Sequence, residues 1–318
     1  MKDASVLILG GAGFVGSAIA AGYCNAGWSV SIVDGLLPGT GGRAENLARI
    51  RSRIRFVPAA VEEVGDLKKL IAGHGLIVDA MAWTSHQAAL ERPEYDLRLN
   101  AASHLHVIRH LKDASQATVL YLGSRSQYGN PPLAQITEET PMVPEDVQGI
   151  HKLAAESYYR VYAKLYGFNA ISLRFPNCFG EHQPVAGDDI GLIGSFIRDA
   201  LAGKTIEVYG SGRTRSVVYV NDVVSIALRL SRAALSGFTP FNISGSDVAI
   251  GDLATTIVGI AGSGACRVKE LPKHIQAIDA GAAVLSDAKL RGVIGAVEYA
   301  PLRPALEKTV AYFKEALA

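Results

Sequence analysis

Cysteine is scarce in this chain: Cys24, Cys178 and Cys266 are the three among 318 residues, far apart and with no Cys-x-x-Cys pair. No disulfide framework can be built on that spacing, and the usage is the one expected of reduced core thiols in a cytoplasmic protein. No apolar run approaches the ~20 residues that a membrane-crossing helix needs, so no membrane partner is expected. The opening residues, "MKDASVLILGG", lead straight into a strand pattern and leave no room for a signal peptide. An excess of one charge is missing as well: 31 Lys and Arg face 30 Asp and Glu, a formal +1. That balance argues against nucleic acid as a partner. Internal repeats, low-complexity tracts and blocks of like charge are absent.

What is there is apolar patterning. Hydrophobic residues make up 49% of the chain, and its length suggests two lobes. Short apolar runs alternate with helical patterns through the first half: "SVLILG" (5–10), a helix near 14–26, "SVSIVD" (29–34), a helix near 43–51, and "IRFVPA" (54–59). "LIVDAMA" (76–82), a long helix near 94–112, "ATVLYLG" (117–123), a helix from "VQGIHK" to about Tyr166 and "NAISLRF" (169–175) follow. Strand alternating with helix predicts an α/β fold, a Rossmann-type doubly wound parallel sheet. Residues 1–175 are expected to form this first domain. After Pro176 the rhythm changes: "PNCFGEHQPVAGDDIG" (176–191) reads as a long functional loop. Residues 176–318 are expected to form a smaller α/β substrate lobe, with segments near 215–245 returning to the first domain.

Gly10, Gly13 and Gly16 in "LGGAGFVGSAIA" follow the first strand and open the first helix. A turn without side chains lets the backbone approach a pyrophosphate, whose charge the helix N-terminus favours. Asp34 ends the second strand, placed to accept hydrogen bonds from an adenosine ribose. Its carboxylate would repel a 2′-phosphate, so NAD is expected over NADP, with Arg43 further along as a moderating group.

On this glycine spacing, and on four further segments, the chain resembles the extended short-chain dehydrogenase/reductase family, the nucleotide-sugar epimerases and dehydratases. "RLNAASHLHVIRHL" (98–111) resembles the family's asparagine-bearing fourth helix, and "YLGSRSQYG" (121–129) the fifth strand with its catalytic Ser or Thr. "LRFPNCFGEHQ" (173–183) and "VYGSGRTRSVVYVNDVV" (208–224) are similar to its substrate-site signatures. The resemblance implies NAD held by Gly10, Gly13, Phe14, Val15, Gly16, Asp34, Ala60, Val61, Met81, Ala82, Trp83, Asn100, Lys152 and Pro176. It implies a nucleotide sugar held by Ser124, Asn177, Tyr209, Arg215 and His86. Arg215 is expected at the diphosphate, because a guanidinium fork matches phosphate oxygens. Ala60 stands where the family often has an aspartate, and Ser216 and Val217 depart from its Arg-Asp-Phe pattern.

The departure that matters most lies in "VQGIHKLAAE" (147–156). Lys152 matches the family's lysine and Ser124 its hydroxyl, but Gln148 fills the position of the tyrosine that exchanges protons. A carboxamide can hold a sugar hydroxyl and cannot deprotonate one. Substitutes are His151, whose reference pKa of ~6.5 suits a working base, a desolvated Lys152, Tyr128, or a relay through Ser124 and water. Arg125 and Ser126 occupy the slots of the dehydratases' Asp-Glu pair, which argues against a 4,6-dehydratase. His104, His106 and His110 on the fourth helix are expected at an interface or in solvent, and no metal site is expected.

The resulting expectation is a cytoplasmic, homodimeric, NAD-dependent sugar-nucleotide epimerase working through a transient keto-sugar with a non-standard acid/base. The alternatives are a dehydrogenase or ketoreductase on the same substrates, and a protein that binds NAD and a nucleotide sugar without turnover. Dimerisation is expected through the helices near 94–112 and 149–166, whose apolar residues ask for a partner.

Overall fold

The structure is a computed structural model, and it describes residues 4–112, 117–187, 190–270 and 283–317. Among the described residues the fourteen strands are, in chain order, β1 (Ser5–Leu9), β2 (Ser29–Val33), β3 (Ile54–Val57), β4 (Leu76–Asp79), β5 (Thr118–Ser124), β6 (Gln135–Ile136) and β7 (Asn169–Phe175). The others are β8 (Asn177–Phe179), β9 (Thr205–Tyr209), β10 (Thr214–Tyr219), β11 (Phe238–Asn242), β12 (Ser246–Ala249), β13 (Ala265–Lys269) and β14 (Val284–Leu285). Seven of them form one sheet in the order β11-β7-β5-β4-β1-β2-β3. Every pairing in it is parallel, with Val6 facing Val30 on one side and Leu76 on the other. Both faces are covered, which is why these strands read as unbroken apolar runs rather than alternating ones. Pro240 is tolerated in β11 because that strand lies at the sheet's edge.

The chain winds outward from β1 through β2 to β3, then crosses back to lay β4 on the other side of β1. Order reverses between β1 and β4, so a crevice opens outside their carboxyl ends, the place where such sheets bind ligands. One face is covered by α1 (Phe14–Asn25) and α8 (Val220–Leu230), which share a core with Ile8, Ile32 and Phe241. The other is covered by α2 (Leu67–Ala72), α5 (Ser103–Arg109) and α6 (Val147–Tyr166), around Leu7, Ile77 and Tyr121. A third cluster joins β8, β9 and β10 to α7 (Gly191–Leu201), α9 (Ile250–Ala261) and the C-terminal helix Leu302–Leu317.

Several local expectations need correction. Residues 44–53 form a 3₁₀ run rather than an α-helix, held down by Asn46, Leu47 and Ile50. The long helix expected near 94–112 is α4 (Pro93–Leu97), a π turn over Arg98–Ala102, and α5. Preceding it is α3 (His86–Glu91), and Pro93 sits at a first helical position, where its missing N–H costs nothing. Within the expected loop 176–191, residues 177–179 are strand β8, and residues 188 and 189 lie outside the described residues.

Candidate functional site

The turn after β1 is built for close approach. Gly10 has φ +73, and a Cβ there would lie 2.8 Å from the Met81 nitrogen at the end of β4. A Cβ on Gly16 would come within 2.2 Å of the Gly10 carbonyl, so α1 can seat against the turn only with glycine at that position. Gly13 is the N-cap of α1 and offers no side chain, and the first turn holds no acid. The helix therefore presents backbone N–H groups to an anion. Phe14, Val15 and Gly16 form the first turn behind them.

Beside this turn lies an open pocket of ≈ 560 Å³, lined by Gly10, Gly13, Asp34, Ala60, Val61, Met81 and Ala82 among others. Asp34 is buried. Its Oδ2 accepts from the Ala12 N–H and its Oδ1 from the Leu36 N–H, both at 2.8 Å. Burial pushes its pKa up, against the lowering pull of the Leu36, Ala12 and Gly13 amides. The carboxylate thus splints the glycine turn and still has lone pairs for a ribose. Asn46, which sequence reasoning passed over, bonds the Ala12 carbonyl at 2.8 Å and fixes the 3₁₀ run against the same turn. Trp83, Asn100, Lys152 and Pro176 are not among the pocket's lining residues.

Those four belong to the deeper end of the crevice or to its support. The Lys152 ammonium donates to the Leu122 carbonyl at 3.2 Å and to the Met81 carbonyl at 3.4 Å, so it sits between the ends of β5 and β4. Gln148, one turn earlier, donates from Nε2 to the Trp83 carbonyl at 3.0 Å. The Trp83 backbone is in turn clamped by Asn100, which accepts from its N–H and donates to its carbonyl. The Trp83 ring itself is buried against Tyr95. Pro176 lies between β7 and β8.

Ser124 ends β5 and caps the short 3₁₀ turn that follows. Its hydroxyl accepts from Ser126, and its N–H donates to Gln127 Oε1 at 2.7 Å. Gln127 is anchored beneath by Glu156, whose carboxylate also takes Ser172 and the buried Arg174. Arg174 continues to the Tyr128 hydroxyl, which donates to Asn242. Tyr128 is thus a structural group under the turn. The network ties the lysine helix, the Ser124 turn, β7 and β11 into one body; Gln127, Tyr128, Glu156 and Arg174 lie within the segments 121–129, 147–156 and 173–183, but their pairing does not show in the sequence.

The histidines divide into two kinds. His104, expected at an interface or in solvent, is fully buried, with Nδ1 2.6 Å from Asp79 Oδ2. Tyr159 donates to the same carboxylate at 2.6 Å. The reason is local: an ionised Asp79 ending β4 inside the protein needs partners. His106 and His110 are half-buried, with rings 5.1 Å apart on α5. His151 places Nδ1 2.6 Å from the buried Asp96 on α4, which also accepts from Asn100. His86 opens α3 and pairs with Asp146, the N-cap of α6, at 3.1 Å. Among the described residues no group of three His, Cys, Asp or Glu is arranged to hold a metal, and no helix is long and apolar enough to cross a membrane.

The remaining substrate-side residues lie on the second lobe. Asn177 starts β8, Arg215 lies on β10 beside it in the sheet order, and Tyr209 ends β9. Arg215 Nη1 donates to its neighbour's carbonyl, and the Tyr209 hydroxyl to Glu207 at 2.8 Å.

A doubly wound sheet with a glycine cradle, an acid ending β2 and a lysine at the ends of β4 and β5 defines a dinucleotide-binding oxidoreductase scaffold. Comparison with known proteins makes this specific: residues 6–244 match the NAD dependent epimerase/dehydratase family, and the chain belongs to it. A UDP-glucose 4-epimerase of Mycolicibacterium smegmatis is 29% identical over 316 residues, covering 97% of this chain and 98% of that protein. A putative UDP-glucose 4-epimerase of Methanocaldococcus jannaschii is 28% identical over 226 residues, 70% of this chain and 72% of that one. Among solved structures, the Thermotoga maritima UDP-glucose 4-epimerase with UDP-glucose superposes with a TM-score of 0.87 at 25% identity, covering 99% of this chain and 100% of that one.

Proposed function

We propose that the protein is an NAD-dependent nucleotide-sugar epimerase whose substrate is a UDP-hexose. The observation that carries the reading is the placement of Lys152 between the ends of β4 and β5, beyond the glycine cradle and Asp34. The residues present fit NAD: the cradle takes the pyrophosphate, Asp34 the adenosine ribose, and Lys152 the ribose of the nicotinamide. When bound, NAD supplies the acceptor and donor of a hydride. This chain's own groups orient and exclude: Ser124 holds a ring hydroxyl, and Gln148 braces the Trp83 backbone beyond β4 while presenting an amide that exchanges no proton. The family resemblance and the full-length likeness to UDP-glucose 4-epimerases support the substrate class. Arg125 and Ser126, where an acid pair would serve elimination, favour epimerase over dehydratase. Asn177 and Arg215 are the groups assigned to the diphosphate, and Tyr209 to the nucleobase.

The working protein is read as a cytoplasmic homodimer. Ile150, Tyr158, Val161 and Leu165 are exposed on α6 and fall within an arc of about 80° at 100° per residue. Leu97 on α4 is exposed as well. The three cysteines are free, in keeping with a reducing compartment. Purified protein offered UDP-glucose, UDP-galactose and their N-acetyl forms one at a time should interconvert a 4-epimer pair, read by NMR of the sugar. Conversion of none of them, or tighter binding of NADP than NAD, overturns the reading.

A further inference from the structure

We propose that His86, oriented by Asp146, is the proton carrier of this site, taking the role that an amide at position 148 cannot fill. The inference rests on the epimerase reading above. Its basis is a ladder of contacts between α6 and the chain that leaves β4. Lys152 meets Met81, Gln148 meets Trp83, and Asp146 meets His86. Moving outward along the helix, the partners move outward along residues 81–86. At ~1.5 Å rise per residue, Asp146 lies about 9 Å along the axis from Lys152. Asp146 is the N-cap of α6, so the imidazole is held at the start of the helix, ahead of Gln148 and Lys152.

Two histidines, His151 of α6 and His86 of α3, have carboxylate partners, and their surroundings separate them. The His151 side chain is 14% exposed, and its Asp96 is committed to Asn100 in the clamp on Trp83. The His86 side chain is 55% exposed, open to solvent rather than enclosed. Asp146 is kept ionised: burial raises its pKa, but His86 and the amides of Gly149 and Gln148 outweigh that and hold it below the usual aspartate range. A fixed carboxylate on one ring nitrogen sets the orientation of the other, the arrangement that serves general acid/base work.

The step balances without another co-reactant. The hydroxyl proton of the sugar passes to the imidazole while the ring carbon gives up its hydride and becomes a carbonyl. On return, hydride reaches the opposite face of the carbon, and the imidazolium gives its proton back to the oxygen. The NAD of the reading above is the only electron acceptor and donor required.

The test uses the full chain with NAD. His86→Gln should lower kcat by 100-fold or more while NAD content and the KM for UDP-glucose stay within about threefold, since positioned acid/base groups contribute 10²–10⁴. His86→Ala should regain rate with added imidazole. Asp146→Asn, which keeps a capping side chain on α6, should lower kcat and displace the acidic limb of the pH profile. A readout independent of turnover is the NMR titration of the His86 imidazole, whose midpoint should move on adding UDP-glucose. A wild-type protein that epimerises while His86→Gln matches its rate and pH profile refutes the proposal alone. A wild-type protein that binds NAD and converts no nucleotide sugar refutes the epimerase reading first.

Discussion

Glu156→Gln should be among the most damaging single-atom exchanges in this protein. The Glu156 carboxylate receives Arg174 Nε at 2.9 Å and Gln127 Nε2 and Ser172 Oγ at 2.7 Å each on Oε2, and Arg174 Nη2 on Oε1. Both members of the ion pair are buried. A glutamine keeps one acceptor oxygen and turns an NH₂ toward Arg174, which can only donate. Arg174 cannot escape by losing its proton, because a guanidinium stays protonated in proteins even without its partner. Breaking such a pair by removing one partner costs about 3–5 kcal/mol. For a chain of this size that is roughly 6–10 °C in Tm, taking ~2 °C per kcal/mol. The consequence for the site is a looser Gln127, which accepts from the Ser124 N–H, so turnover should fall even well below the melting temperature. Urea unfolding and calorimetry give the stability, and the rate at 25 °C gives the site effect. Glu156→Leu with Arg174→Met, which removes both charges, should recover much of the loss. A single variant that loses less than about 1 kcal/mol would refute the reasoning.

Three further outcomes are expected. Asp34→Ala should weaken NAD binding by about 1.5–3 kcal/mol through the lost charge-assisted bonds, and more if the glycine turn relaxes with it. Because burial holds the Asp34 pKa up, wild-type NAD affinity should begin to fall on acidification above the ordinary aspartate range; a titration identical in Asp34→Asn would contradict this. Asp79 has the opposite sign: His104, Tyr159 and Lys152 outweigh its burial and depress its pKa. The stability it contributes is present above the ordinary aspartate value and is lost as pH falls through the lower, folded one, so melts of wild type and Asp79→Asn should converge below about pH 4. Finally, Leu165→Glu should yield a monomer in sedimentation velocity at micromolar concentration; an unchanged dimer would remove α6 from the interface.

The sheet was legible because burial on both faces leaves a continuous apolar run, as in "SVLIL" and "SVSIV", which needs no knowledge of partners. The glycine turn was legible because its constraint is local: Gly10 and Gly16 answer to backbone atoms within a few residues or at the next strand end. Six-residue α2 was not, since two turns give too short a period to register. Nor was the fate of His104, which depends on Asp79 twenty-five positions away. Asp146 carried a local signal that could have been taken: an aspartate three residues before a glycine N–H at a helix start is a capping pattern. Arg174 and Glu156 stand within quoted segments, but their partnership was not legible, because charge in a sequence says nothing of whether it will be buried and paired.

The π turn at Arg98–Ala102 amounts to one residue more than an α-helix would use there. It works as a phase shifter. Each residue turns a helix by ~100°, so the extra one rotates the face of α4 relative to that of α5 by about that angle. With it in place, Asp96 can look toward His151 and Tyr95 toward Pro38 and Trp83, while His104 looks the other way into Asp79. Deleting any one residue between 98 and 102 would let a regular helix close up without a gap in its hydrogen bonds. The chain would be locally better ordered and globally out of phase: α4 could keep its partners or α5 could, but not both. This stretch should therefore tolerate changes of residue type at Arg98 and Ala102, which face outward, far better than any change of length.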